Sequence, residues 1–285
     1  MGLTFAIVTP SYNKVRYLRQ CVLSVLEQQH PGVDYWLLDS CSNDGSAEVI
    51  DRLRTEFAGR LNLRVEKDHG QTDAINRGFT LAKGEIMGWL NADDFYVPGT
   101  FRLVEDFFLA HPEVGMVYGH ARILDRDSRF QMNYPVQSPN RKTLRSFDYI
   151  PQPTAFWRRH VWDAVGPLDM SLNWGLDWDF FIRVSERYPV VLLDAFLADC
   201  VCDGEHKTAV GGLARTREFA RISRRYGGWT NPTHLFCHYV LALHWLASPW
   251  LRRPTSAATT RRLLDRLQAH GMTWMTRILG KQVMY

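Results

Sequence analysis

Gly84-Glu85-Ile86-Met87-Gly88-Trp89-Leu90-Asn91-Ala92-Asp93-Asp94 is an apolar run that stops on two adjacent carboxylates. Ile86, Met87, Trp89 and Leu90 alternate little with polar residues, which predicts a strand over 85–90 covered on both faces, as in a parallel sheet. Ligands of open α/β sheets bind beyond the carboxyl ends of the strands, and Asp93 and Asp94 fall at such an end. Neighbouring carboxylates repel, so a compensating positive group is expected. A hard divalent ion, Mg2+ or Mn2+, suits them, and such an ion commonly also holds substrate phosphate oxygens. The plainer alternative is a solvated acidic turn capping the next helix.

Working upstream, the same unit recurs. Residues 3–9 predict a strand that ends in the turn Pro10-Ser11-Tyr12-Asn13. Leu18, Cys21, Val22, Val25 and Leu26 fall at helical spacing. Residues 34–38 predict a second strand, stopping on Asp39, with a helix through Val49, Ile50, Leu53 and Phe57 after it. A third strand over 61–66, a turn at Asp68-His69-Gly70-Gln71 and a helix over 72–82 lead back to the opening stretch. Crossovers of this length suit parallel pairing. No G-x-G-x-x-G follows any strand and no G-x-x-x-x-G-K-[ST] occurs, so acids rather than glycines end these strands. Such an edge suits bases, riboses and a metal better than phosphate cradled on backbone amides.

Downstream, the pattern predicts a helix over 100–110, strands over 114–118 and 121–124, and polar loop or short strand over 125–145. A strand over 153–157, a helix over 159–165 and a helix opened by residues 173–179 come next. Strands over 190–193 and 195–202, a polar loop over 203–208 and a basic helix over 215–226 complete it. The chain has 285 residues, 46% hydrophobic and 22% charged, as a soluble globular protein has. The net charge of +4 is unevenly spread. From Gly212 onward twelve Lys and Arg face two acids, a net +10, while the rest carries 22 basic and 28 acidic residues, a net −6. A basic tail on an acidic body implies an anionic partner for the tail, or the body itself. Five cysteines at 21, 41, 200, 202 and 237 show no zinc spacing, so reduced thiols and a cytoplasmic setting are expected. No signal peptide is evident, and the apolar segment 235–251 is broken by His238, His244, Ser248 and Pro249, too polar to predict a membrane span.

Five stretches together resemble family 2 glycosyltransferases of the GT-A fold. They are Thr9-Pro10-Ser11-Tyr12-Asn13, residues 38–46 from Leu38-Asp39 to Gly45-Ser46, residues 68–78 from Asp68-His69-Gly70-Gln71 to Gly78, the opening stretch, and Asp177-Trp178-Asp179. They occur in the family's order over residues 1 to about 210. The resemblance implies an α/β fold with a mostly parallel nucleotide-binding sheet flanked by helices. Residues 1–110 would be its nucleotide-binding half, 111–210 its acceptor half, and 211–285 a basic, mainly helical extension.

The resemblance also implies roles. Pro10, Tyr12 and Asn13 would lie at the base, with Tyr12 stacking on it. Asp39 would accept a hydrogen bond from the base, and Asp68, Gln71, Asp73 and Asn91 would line the nucleotide-sugar pocket. Asp93 would hold the ribose and Asp94 a Mn2+ or Mg2+ that bridges the diphosphate. Asp177 would be the base that deprotonates the acceptor. Taken alone, the same acids read as turn or helix-start residues. Asp177 and Asp179, two apart on a helix, cannot share a face. Near the domain's end either Asp203 or His206 would reach the metal or diphosphate, with His206 favoured. The chain departs from the pattern at Ser40-Cys41, where relatives have more glycine, and at Leu176, where they often have Glu.

The expected activity is inverting transfer from a nucleoside-diphosphate sugar, UDP-sugar favoured, to a sugar or lipid-linked acceptor in polysaccharide or glycan assembly. The alternatives are a sugar nucleotidyltransferase, whose Gly-rich first loop is missing here, and a non-catalytic binding relative. No nucleic-acid recognition motif accompanies the basic tail. The aromatic segment 235–251 with Arg252 and Arg253 would either touch the inner face of an anionic membrane or pack on the catalytic domain or a homodimer partner.

Overall fold

A computed structural model describes residues 2–202 and 212–228. Its first half alternates β1 (Phe5–Ser11), α1 (Val15–Leu26), β2 (Val33–Asp39), α2 (Ser46–Glu56), β3 (Asn62–Val65), α3 (Gln71–Leu81) and β4 (Ile86–Trp89). These strands pair in parallel in the order β3–β2–β1–β4. The second half holds β5 (Asp94–Tyr96), α4 (Thr100–Ala110), β6 (Met116–Leu124), β7 (Phe130–Asn133), α5 (Arg141–Leu144) and a 3-10 turn (Gln152–Thr154). It continues through β8 (Phe156–Arg158), α6 (Arg159–Val165), α7 (Leu176–Arg187), β9 (Val190–Val201) and α8 (Gly212–Arg225). The sheet runs on from β4 through β8, β6 and β9 to β5, with β7 paired to β6. Only β6–β9 is parallel among these later pairs. The fold is thus α/β, with a parallel four-stranded half extended by a mixed half.

Period-2 geometry divides the core between the two faces. Phe5, Ile7, Ile86 and Leu90 face a layer built with α1 and α4, where Leu18, Val22, Phe101 and Phe108 are buried. Ala6, Val8, Met87 and Trp89 face the opposite layer with Ile75, Phe79, Trp157, Phe180 and Phe181. The unbroken apolar run at 86–90 is therefore a strand buried on both faces. Gly78 lets α3 lie close to β1, since a Cβ there would stand 2.4 Å from Val8 Cγ1.

Four segments differ from the sequence pattern. β1 continues through Pro10 and Ser11, because its ladder with β4 ends at the Val8–Trp89 pair and Pro10 falls beyond it. The two strands expected over 114–124 are one, β6, with irregular register around His120. Gly119 interrupts the apolar pattern there but lets β9 approach, since a Cβ would meet Leu197 Cγ at 2.6 Å. Likewise 190–201 is one strand, and residues 152–154 form a 3-10 turn with Pro153 in its first turn rather than strand. The first part of the basic tail, α8, packs into the second layer through Ile222, which is fully buried. Residues 235–251 and the loop with Asp203 and His206 lie outside the described residues. Among the described residues no helix is long and apolar enough to cross a membrane.

Candidate active site

The parallel strands all end on one edge, and their register lines up the loops that leave it. Ser11 pairs with Asp39 in the β1–β2 ladder. Asp39 is 3% exposed. Its Oδ1 accepts from Ser11 Oγ at 2.9 Å and Ser42 Oγ at 2.7 Å, and its Oδ2 from the Ser42 amide at 2.9 Å. The loops after β1 and β2 are tied together further on. Asn13, at φ 53°, donates its amide to Ser42 Oγ and accepts the Asn43 amide on its side chain. Asp44 accepts the amides of Val15 and Ser46, fixing the starts of α1 and α2. Tyr12 stands out from this edge at 58% exposure, a flat apolar ring open to a planar ligand.

At the start of α3, Asp68 accepts the Gly70 amide. Asp73 is more enclosed than a pocket-lining acid needs to be. Its carboxylate accepts from the His69 amide and ring and from Arg77. Burial pushes its carboxyl up, yet these donors outweigh it and hold Asp73 below the usual carboxylate range. Gln71 donates to Asn91 Oδ1 at 2.8 Å, and Asn91 donates to Gln152 Oε1 at 3.0 Å. Gln152 in turn donates to the Trp89 carbonyl at 2.9 Å. This amide chain fixes the loop between β4 and β5 from below.

The acid pair at that loop divides. Asp93 takes Lys14 Nζ at 2.6 Å. Asp94 opens β5, is 7% exposed, and accepts the Val201 amide and the Asn91 side chain, both at 3.3 Å. Burial, then the charge of Asp93, pushes its carboxyl well up. A carboxylate offers about four lone-pair positions, and these two long bonds leave Asp94 able to face a cation. Among the described residues no cluster of three His, Cys, Asp or Glu side chains stands ready for a metal.

Asp177 sits in the first turn of α7, between buried Leu176 and Trp178, with Oδ1 accepting the Trp178 amide at 2.9 Å. Trp178 anchors this turn by donating its indole N–H to the Leu144 carbonyl. That docking brings residues 145–150 to Asp177, whose charge reinforces burial in pushing the Asp148 carboxyl well up. The Tyr134 hydroxyl is pushed up by burial and by Asp148, Cys200, Asp177 and Cys202. Cys200 is the ladder partner of Asp94, so Tyr134 feels both the end of β9 and Asp177. Asp179 turns the other way. It is 1% exposed and accepts from Arg183, Arg225 and Tyr226.

Lys14, Gln152, Asp148 and Tyr134 join the site without belonging to any of the five stretches. Lys14 alone carries a sequence signal, a cation just after the Pro10–Asn13 turn. The others depend on contacts between distant segments.

Comparison with known proteins adds to this geometry. The profile described as Glycosyl transferase family 2 matches residues 6–166. The uncharacterized glycosyltransferase alr2836 of Nostoc sp. is 27% identical over 176 residues, 59% of this chain and 54% of that protein. The match thus spans about half the length of that relative. S. aureus TarS 1-349 in complex with UDP-GlcNAc superposes with a TM-score of 0.62 at 16% identity, covering 79% of this chain and 65% of that one. The mannosyltransferase PcManGT from Pyrobaculum calidifontis, in complex with GDP-Man and Mn2+, gives 0.61 at 18% identity, covering 97% of this chain and 84% of that one. Both share the GT-A fold with this chain.

Proposed function

This chain belongs to glycosyl transferase family 2, and from that premise we propose that it is an inverting glycosyltransferase using a nucleoside-diphosphate sugar, preferentially a UDP-sugar. What supports this reading is the row of acids at one sheet edge. Asp39, Asp93 and Asp94 stand at the strand ends, and the charges of Asp177 and of Cys200, the ladder partner of Asp94, both act on the Tyr134 hydroxyl. The base would lie on Tyr12 between the loops of Pro10–Asn13 and Asp39. Asp68, Gln71, Asp73 and Asn91 would shape the pocket wall, the last two through the bonds that hold their loops. Asp93 would take the ribose.

The Asp93–Asp94 pair fits a hard divalent ion, because it offers oxygen donors, and Lys14 offsets part of its charge. Bound there by Asp94, with His206 as a further ligand, Mn2+ or Mg2+ would neutralise charge on the departing diphosphate. The structural relative that carries Mn2+ with GDP-Man supports this choice. Lys14 stands beside the same place as a second positive charge. The acceptor oxygen attacks the anomeric carbon from the face opposite the diphosphate. Asp177 takes its proton, the anomeric C–O bond breaks, and its electron pair leaves with the nucleoside diphosphate. The acceptor, a sugar or lipid-linked sugar in a cytoplasmic glycan assembly, would enter beside Asp148 and Tyr134.

A thermal-shift panel of UDP- and GDP-sugars, with and without Mn2+, tests the reading. A true donor stabilises the fold by mass action, and the expected result is a rise only when sugar nucleotide and Mn2+ are both present. A rise with a sugar nucleotide but no sugar transfer to any hydroxyl, water included, would favour the non-catalytic relative.

A further inference from the structure

The helix that carries Asp177 begins without a cap of its own. Gly175 is the capping position of α7 and has no side chain to offer. The amides of Asn173, Trp174 and Gly175 instead converge on one carboxylate, that of Glu218 in α8, at 2.9, 2.7 and 2.8 Å. Three successive N–H groups around one anion form a backbone nest. Glu218 is 5% exposed, and among the described residues no Lys or Arg pairs with it. These amides are its hydrogen-bond donors, and bonds of this kind to a carboxylate are about twice as strong as neutral ones.

The rest of α8 is fitted to the same turn. A Cβ on Gly175 would stand 2.5 Å from Ile222 Cδ1, so the glycine that forgoes a cap also lets α8 come this near. Phe219 meets the Trp178 ring edge-on at 5.5 Å. Trp178 and Leu176 flank Asp177 and are buried. The turn entering α7 is thus gripped by α8 directly before the residue that must reach the acceptor proton.

We propose that Glu218 is a positioning residue for Asp177, setting the start and tilt of α7 so that the Asp177 carboxylate meets the acceptor hydroxyl. The inference rests on the reading of Asp177 as the base. A general base must lie within roughly 2.6–3.2 Å of the proton's oxygen, and a misplacement of about 1 Å costs on the order of 100-fold. Glu218 acts through the backbone at 173–175.

The test uses the full chain, Glu218→Ala, Glu218→Gln, Asp177→Asn and the doubles. The readouts are nucleoside diphosphate release from UDP-N-acetylglucosamine and GDP-mannose with Mn2+, and amide deuterium exchange. Glu218→Ala is expected to lower turnover by roughly tenfold or more, with the donor KM within about twofold. Glu218→Gln keeps an oxygen for two of the amides but sets its own NH2 against the third, so it should fall between. Added to Asp177→Asn, either change should cost nothing further, because the interaction it serves is already gone. Independently of any donor, exchange at 173–175 should quicken by about tenfold or more in Glu218→Ala while the later turns of α7 stay protected. Unchanged exchange at those amides overturns the proposal, as do parental turnover in Glu218→Ala or a loss that multiplies that of Asp177→Asn. If Glu218→Ala does not fold, Glu218→Gln carries the same comparisons. Parental release by Asp177→Asn alone would instead remove the base assignment, and the exchange data would still decide whether Glu218 holds the turn.

Discussion

Asp39 draws two of its three bonds from Ser42, three positions away, and Asp73 draws its bonds from His69 and Arg77, four positions away. In the other half, Glu218 reaches back 43 to 45 positions to the amides before α7, and Asp179 is held from 46 and 47 positions away by Arg225 and Tyr226. Asp39 and Asp73 are thus fixed mainly by neighbours in sequence, although Asp93 and Asp94 reach Lys14 and Val201, 79 and 107 positions away. Asp179, beyond its bond to Arg183, and the turn before α7 are held by a helix that returns late in the chain. The loops at Asp39 and Asp73 can therefore keep their geometry while α8 is altered, whereas the start of α7 depends on α8 staying in place.

The sharpest way to break this comparison is to exchange Asp177 and Asp179 for asparagine in turn. Asp177→Asn should cut transfer by at least ~100-fold, the lower end for losing a general base. Donor and Mn2+ affinity should stay within a few-fold, because the donor edge does not lean on Asp177. Asp179→Asn should do the reverse. It leaves Arg183 and Arg225 beside a neutral amide in a buried place, a loss of about 3 kcal/mol, or roughly 6–12 °C in thermal midpoint. Steady-state transfer and thermal melts of the two variants decide it. Near-parental transfer by Asp177→Asn, or a product that keeps the donor's anomeric configuration, would overturn the base.

Within the donor edge, the acid pair offers a finer comparison. Asp94→Ala strands the Val201 amide and removes one of the Asn91 side chain's bonds, which should cost about 1–3 kcal/mol and lower the midpoint by several degrees. It should also abolish the Mn2+ response and most turnover. Asp93→Ala removes a partly exposed pairing with Lys14, worth about 0–1 kcal/mol. Its midpoint should barely move and its Mn2+ response should persist, while nucleotide affinity falls. Titration of Mn2+ against midpoint in both variants checks the assignment, and loss of the response in Asp93→Ala alone would exchange the two roles.

Legibility in the sequence divides along the same line. Strand-ending acids stand next to the apolar runs they terminate, so β1 to β4 and the residues at their ends are readable from pattern, and α4 and α6 match their expected bounds. Gln152 was not readable, because nothing around Gln152-Pro153-Thr154 says that its amide will meet Asn91, 61 positions earlier. Asp148 looks like any loop acid until Trp178 docks on Leu144 and brings Asp177 near it. Gly119 splits the expected strand because a glycine breaks apolar periodicity, yet in space it is what lets β9 close on β6. Glu218 lies in a helix whose sequence reads only as basic. Charge composition describes the solvent face of such a helix and is silent on the one acid turned inward.

An effect that depends on pH lies at the far end of the α8 clamp. Asp169 accepts the Ser171 amide and hydroxyl on Oδ1 and Arg225 on Oδ2 at 2.9 Å. Burial pushes its carboxyl up, but Ser171 and Arg225 outweigh it and hold the group at about 2. The native form therefore binds this proton less readily than the unfolded chain, where an aspartate titrates near ~3.9. The stabilisation is fully present above about pH 4 and is lost as pH falls toward 2. Its size is at most about 2.5 kcal/mol, and less after solvent screening, since the side chain is 29% exposed. Asp169→Asn should melt a few degrees below the parent at pH 7. The gap between the two should narrow as pH drops from about 4 to 2, because the parent alone loses this charge. Melting midpoints of parent and variant across that range decide the matter. A gap that stays constant to pH 2 would mean that Asp169 serves α8 by shape and not by charge, and the clamp would then rest on Asp179 and Glu218 alone.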